Sequence, residues 1–120
     1  MSEAAPVTIL VVEDDDIIRM LIVDVLEELE YSVLEAGSTG EAWTVLNGLA
    51  TPIDMMMTDI GLPDGTGTEL AKAVLEKYPA LPILIASGYA DSGDSVPGTQ
   101  VLGKPFSIDQ LRDKVSSMLA

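Results

Sequence analysis

Val7 to Val12 (VTILVV) is a nearly unbroken apolar run of strand length. A strand covered on both faces reads this way, because a half-exposed strand would alternate apolar with polar positions. From Asp16 to Leu29 the pattern changes to helical spacing. Ile18, Leu21, Ile22, Val25 and Leu29 fall on one stripe, which is expected to face the core. Asp15 or Asp16 is placed to cap that helix, where a carboxylate also suits the positive end of the dipole. Tyr31 to Ala36 reads as a second, weaker strand. Thr39 to Leu49 is helical, with Ala42, Val45, Leu46 and Leu49 inward and Thr39 as N-cap. Ile53 to Thr58 (IDMMMT) is a third strand, its methionines expected to be buried filling rather than metal ligands.

Gly61 to Gly67 (GLPDGTG) has the chemistry of a loop. Thr68 to Tyr78 is helical, with Leu70, Ala71, Val74 and Leu75 apolar. Pro82 to Ala86 (PILIA) makes a fourth strand and Thr99 to Leu102 a fifth. A last helix starts at Ser107 or Asp109 and runs to about Leu119, with Leu111, Val115, Met118 and Leu119 inward. Strand and helix alternate throughout. The expected fold is therefore α/β, a doubly wound five-stranded parallel sheet with right-handed crossovers. Ser87 to Gly98 breaks the rhythm, being rich in Gly, Ser and Asp. Ser92 to Pro97 in particular cannot make a normal fourth helix, which is expected to be short, irregular or absent.

Composition removes several classes of function. The chain has 120 residues, enough for one domain with one core, and reads as a single domain over 1–120 with no output domain. The MSEAAP start favours a natural N-terminus and is not a signal peptide. With only 4% aromatic residues, the core must be aliphatic. There is no cysteine and no histidine, which excludes disulfides, thiol chemistry, zinc sites built on those ligands and histidine acid–base catalysis. Net charge is −14, without a Lys/Arg cluster, so direct nucleic-acid and anionic-membrane binding are not expected. A basic protein partner or a bound cation suits such a surface. No apolar run is long enough to span a bilayer, and the chain reads as cytoplasmic.

Sites in open parallel sheets form beyond the carboxyl ends of the strands. The polar candidates gather there: Glu13, Asp14 and Asp15 after the first strand, Asp59 after the third, Ser87 after the fourth, Lys104 after the fifth. Each alone has a plainer explanation. An acidic run often just starts a helix, Asp59 could be a cap, Ser87 before Gly88 is turn chemistry, and Lys104 could be a surface lysine before a helix-starting Pro105. Their joint placement is what carries weight. Crowded carboxylates repel unless a cation intervenes, and a hard ion such as Mg2+ is satisfied by oxygen ligands alone. A lysine and a hydroxyl beside them could meet phosphoryl oxygens. These parts suit phosphoryl transfer, with a carboxylate as nucleophile.

These segments resemble, over essentially the whole chain, the receiver domains of two-component response regulators. LVVEDD (Leu10 to Asp15) is similar to the family's first-strand signature, with Glu13 and Asp14 as the acidic pair and Asp14 the more direct metal ligand. TDIGLPDGTG (Thr58 to Gly67) resembles the phospho-acceptor segment, with Asp59 at the accepting position and Gly61 where a backbone carbonyl reaches the metal. Ser87 matches the hydroxyl residue that meets the phosphoryl group, and Lys104–Pro105, in GKPF, the lysine and its cis-bonded proline. The resemblance implies a flavodoxin-like sheet of order 2-1-3-4-5. It also implies Mg2+-dependent transfer to Asp59 from a phosphohistidine, carried by a sensor histidine kinase or a histidine phosphotransfer protein. Hydrolysis of the aspartyl phosphate follows, and a downstream protein reads the phosphorylated state near the fourth and fifth strands. The domain would support its own phosphoryl transfer but act mainly as a signalling protein.

Two features depart from the family pattern. Only sixteen residues separate Ser87 from Lys104, and Val101 stands where the family has an aromatic switch residue, with Tyr89 as a candidate substitute. The reduced fourth helix also makes a monomer the expectation. Two other readings compete: a non-phosphorylated pseudo-receiver serving only protein interaction, and the C-terminal receiver of a hybrid histidine kinase. A metal-dependent phosphatase would need a second acid where Gly61 stands, and a nucleotide site would need a glycine-rich loop where EDDD stands.

Overall fold

A computed structural model describes residues 7–48, 53–88 and 96–119. Five parallel strands form the sheet: β1 (Thr8–Val12), β2 (Ser32–Ala36), β3 (Met55–Asp59), β6 (Ile83–Ser87) and β7 (Thr99–Gly103), in the order β2-β1-β3-β6-β7. This is the 2-1-3-4-5 order of the flavodoxin-like class, since β4 (Gly61–Leu62) and β5 (Gly65–Thr66) form a separate antiparallel pair. The helices are α1 (Asp16–Glu28), α2 (Thr39–Gly48), α3 (Gly67–Lys77) and α4 (Ile108–Leu119). Among the described residues these four are the only helices, and none is long and apolar enough to cross a membrane. Residues 89–95, where the reduced helix and Tyr89 would fall, lie outside the described residues.

The unbroken apolar strands divide their side chains by parity. Leu10, Val12, Met56, Ile83 and Ile85 pack with α2 and α3 residues such as Leu46 and Val74. Ile9, Val11, Met55, Met57 and Leu84 pack on the other face with Ile22 and Leu26 of α1 and Leu111 and Val115 of α4. All three strand methionines are buried within 1% of full exclusion, as expected for aliphatic filling.

The structure corrects three local expectations. The first is the inward face of α1. Ile18 is 37% and Leu21 57% exposed, while Ile22, Val23 and Leu26 are buried. Apolar residues run almost round the first two turns of α1, so spacing alone could not choose its inward side. The second is the cap of α2. Ser38, not Thr39, holds that role: its hydroxyl accepts from the Glu41 N–H at 3.1 Å and its carbonyl from the Ala42 N–H at 3.0 Å. The third is the Gly61–Gly67 loop, which closes into the β4–β5 pair. Leu49, expected inward on α2, lies outside the described residues.

Candidate functional site

Parallel register brings the ends of four strands to one edge. Val12 pairs with Thr58, Asp59 with Ala86, and Ser87 with Gly103. Glu13 and Asp14 therefore follow β1 beside Asp59, which ends β3, and Lys104 follows β7 beside Ser87. Lys104 Nζ donates to Asp59 Oδ1 at 2.7 Å and lies 3.6 Å from Glu13 Oε1. Carboxylate oxygens of Glu13, Asp14 and Asp59 lie within 4.8 Å of one another. Glu13 is buried, Asp59 half-buried and Asp14 exposed. Ser87 is buried, and its carbonyl accepts from the Lys104 N–H at 2.7 Å. The Lys104–Pro105 peptide is cis. Gly61 opens β4 two residues past Asp59. Val101 sits in β7 opposite Ile85, half-buried against the α2–α3 side of the core.

Local chemistry fixes these positions. Asp15 caps α1, its Oδ1 accepting from the N–H groups of Ile17 (2.9 Å) and Ile18 (3.0 Å). The Glu13 N–H donates to Ala36 O at 3.0 Å, and Glu13 Oε2 accepts from the Asp15 N–H at 3.1 Å. At β3, the Thr58 hydroxyl donates to Asp59 O at 2.9 Å. Thr66 caps α3, accepting from the Glu69 N–H at 3.1 Å. The loop after Asp59 is also tied to α2. Asp64 accepts from the N–H groups of Thr39 (2.9 Å) and Gly40 (3.0 Å), which holds its carboxyl below the usual range.

Electrostatics mark the cluster as short of positive charge. Burial raises the Glu13 carboxyl, and the charge of Asp59 adds to that. The Asp15 N–H and Lys104 oppose the shift without cancelling it. Burial pulls the Lys104 ammonium down, but the hydrogen bond and charge of Asp59, with Glu13 behind it, outweigh this and raise it. Two of the three clustered carboxylates, Glu13 and Asp59, thus share one ammonium. The donor set is all oxygen and compact, which fits a small hard divalent cation rather than a thiophilic one.

Two residues with side-chain bonds to the segments around the site escaped the sequence pattern. Asp64 looks like an ordinary turn acid, because its partners are 24 and 25 residues away. Arg19 had a signal, being the only basic residue among the first 71 and lying one helical turn past the acidic run that ends at Asp16.

A doubly wound sheet with an acidic cluster and a lysine at its carboxyl edge defines a phosphoacceptor signalling class. The pattern of the response regulator receiver domain matches residues 9–116, and the chain belongs to that family. It is 33% identical over 117 residues to the sensor kinase CckA of Brucella abortus, covering 93% of this chain but 12% of that protein. It is 32% identical over 116 residues to the response regulator receiver protein CpdR of the same organism, covering 92% of this chain and 95% of that protein. Among solved structures, the receiver domain of the hybrid histidine kinase CckA superposes with a TM-score of 0.82 at 31% identity, covering 94% of this chain and 99% of that one. The chemotaxis response regulator CheY4 of Vibrio cholerae superposes at 0.86 and 26% identity, covering 96% and 100%. Phosphoaccepting signalling of the response-regulator type is thus the function of this fold and cluster.

Proposed function

We propose that Asp59 is the acceptor, that Mg2+ is the cation, and that the donor is a phosphohistidine on a histidine kinase or histidine phosphotransfer protein. The carrying observation is the convergence on Asp59: an ammonium at 2.7 Å and two further carboxylates within 4.8 Å. Glu13, Asp14, Asp59 and the Gly61 carbonyl would hold the ion, which when bound neutralises charge on the transferring group. An Asp59 carboxylate oxygen bonds to phosphorus as the phosphorus–nitrogen bond to the donor imidazole breaks, and the imidazole takes up a proton. Lys104 and Ser87 meet phosphoryl oxygens. Water later attacks phosphorus, releasing inorganic phosphate and restoring the carboxylate. The domain therefore supports its own turnover while serving mainly as a cytoplasmic switch.

The exposed large apolar side chains of the described residues support contact with a protein partner. Ile18 and Leu21 on α1 and Ile108 on α4 line a groove of about 600 Å3 together with Lys104 and Phe106, and Ile17 and Met20 are exposed elsewhere on α1. The net charge of −14 disfavours nucleic acid as that partner.

A second reading places the same chemistry at the receiver of a hybrid kinase, favoured by the similarity to CckA. Incubation with phosphoramidate, with and without Mg2+, followed by intact mass, tests the core of both. A Mg2+-dependent gain of one phosphoryl group, absent in Asp59→Ala, is expected. No gain and no Mg2+ binding would instead favour a pseudo-receiver.

A further inference from the structure

Asp14 is the most exposed of the three clustered acids. Its carboxylate can stay aimed at Glu13 and Asp59 only if the turn around it is rigid. Arg19 touches that turn on both sides. Its backbone N–H donates to Asp15 O at 2.9 Å, as part of the start of α1. Its side chain reaches back past Asp14, and Nη1 donates to Glu13 O at 2.7 Å.

The rest of the guanidinium is also occupied. Nη2 donates to Asp16 Oδ1 at 2.7 Å and Nε to Glu35 Oε1 at 3.0 Å. One planar fork thus joins the end of β1, the first turn of α1 and strand β2. A lysine ammonium on a flexible stem cannot reproduce that geometry. The side chain is only 20% exposed, so the fork is partly shielded from water. Burial opposes its charge, but Glu35 and Asp16 raise its pKa and keep it cationic.

We propose that Arg19 is a positioning residue for the cation site: it fixes the Glu13–Asp15 turn so that Asp14 presents its carboxylate to the ion. The inference rests on the reading of the acidic cluster as a Mg2+ site. It has a distinctive sign. By charge alone, removing a cation from beside a cation site should tighten Mg2+ binding. By positioning, the same removal loosens it. Loss of a residue that orients metal ligands typically costs roughly tenfold or more in affinity.

The test is Mg2+ titration by calorimetry on wild type, Arg19→Ala, Arg19→Lys and Glu35→Gln, with urea midpoints measured without metal. The expected result is roughly tenfold weaker binding in both Arg19 variants. Glu35→Gln, which perturbs one of three contacts, should fall between them and wild type. Should Arg19→Ala prove unfolded, Arg19→Lys carries the comparison. Tighter or unchanged binding in Arg19→Ala would overturn the proposal, as would wild-type affinity in Arg19→Lys. A wild type that binds no Mg2+ would overturn the metal-site reading itself, and the role of Arg19 with it.

Discussion

Gly67 is the most confined backbone position near the site, and substituting it should damage both fold and chemistry. A Cβ built there would lie 1.9 Å from Asp59 O, 2.9 Å from Asp59 C and 3.1 Å from Thr58 Oγ1. A comfortable carbon–oxygen contact is about 3.3 Å, so Gly67→Ala needs a separation of roughly 1.4 Å from somewhere. Neither side can yield easily. Asp59 O is held by the Thr58 hydroxyl, and the Gly67 N–H donates to Ile60 O at 2.7 Å at the start of α3. Overpacking of this kind costs about 1–3 kcal/mol, and a clash against backbone belongs at the upper end. With a urea slope of about 2 kcal/mol/M, the midpoint should fall by roughly 1.5 M. Asp59 would also shift against Lys104, and a displacement of about 1 Å can cost on the order of 100-fold in rate. Urea unfolding and phosphoramidate labelling followed by intact mass read the two effects separately. Gly48→Ala is the control: nothing lies within 4 Å of its added Cβ at the end of α2, and it should stabilise by about 0.5 kcal/mol. A Gly67→Ala protein within about 0.5 kcal/mol of wild type and labelled at the wild-type rate would refute the reasoning.

Two further outcomes follow from the charged groups. Lys104→Met leaves Glu13 and Asp59 facing each other without their ammonium. It should destabilise the metal-free protein near neutral pH by about 1.5 kcal/mol, since Lys104 is partly solvent-screened. The Lys104 pKa is raised on folding, so with its carboxylate partners ionised this contribution is full below its ordinary 10.5 and is lost as pH climbs through the higher folded value. Urea midpoints of the two proteins should converge in that alkaline range. Asp64→Asn should destabilise with the opposite pH dependence. Its carboxyl is lowered by the Thr39 and Gly40 N–H groups, so its contribution is present above the ordinary 3.8 and fades as pH falls through the lower folded value. A gap between Asp64→Asn and wild type that persisted unchanged to pH 2 would contradict the role of that carboxylate at α2.

The layered sheet was legible because strands buried on both faces leave apolar runs that no surface element would carry. VTILVV, IDMMMT and PILIA placed β1, β3 and β6 to within two residues. The gathering of Glu13, Asp14, Asp59, Ser87 and Lys104 followed from that alternation and the carboxyl-edge rule alone. Which carboxylate accepts the group did not follow, and needed the resemblance. The orientation of α1 was lost because it is apolar on more than its core face: Ile17, Met20 and Leu21 remain more than half exposed. The β4–β5 pair has two-residue strands, too short to show alternation. Asp64 acts through contacts 24 and 25 residues away, which local pattern cannot display, and Arg19 joins its near neighbours Glu13 and Asp16 to Glu35 on β2. Val101 is where the sequence placed it, half-buried in β7, so a conformational readout through that position has only an aliphatic side chain to use.

The most direct test of the account is to locate the phosphoryl group chemically. After phosphoramidate and Mg2+, borohydride reduces an aspartyl phosphate to homoserine, and peptide mapping reads the position. Homoserine at 59, dependent on Mg2+, is the predicted result. Homoserine at Asp14 or elsewhere, or none in protein that binds Mg2+ and receives phosphate from a histidine kinase, would contradict Asp59 as the acceptor.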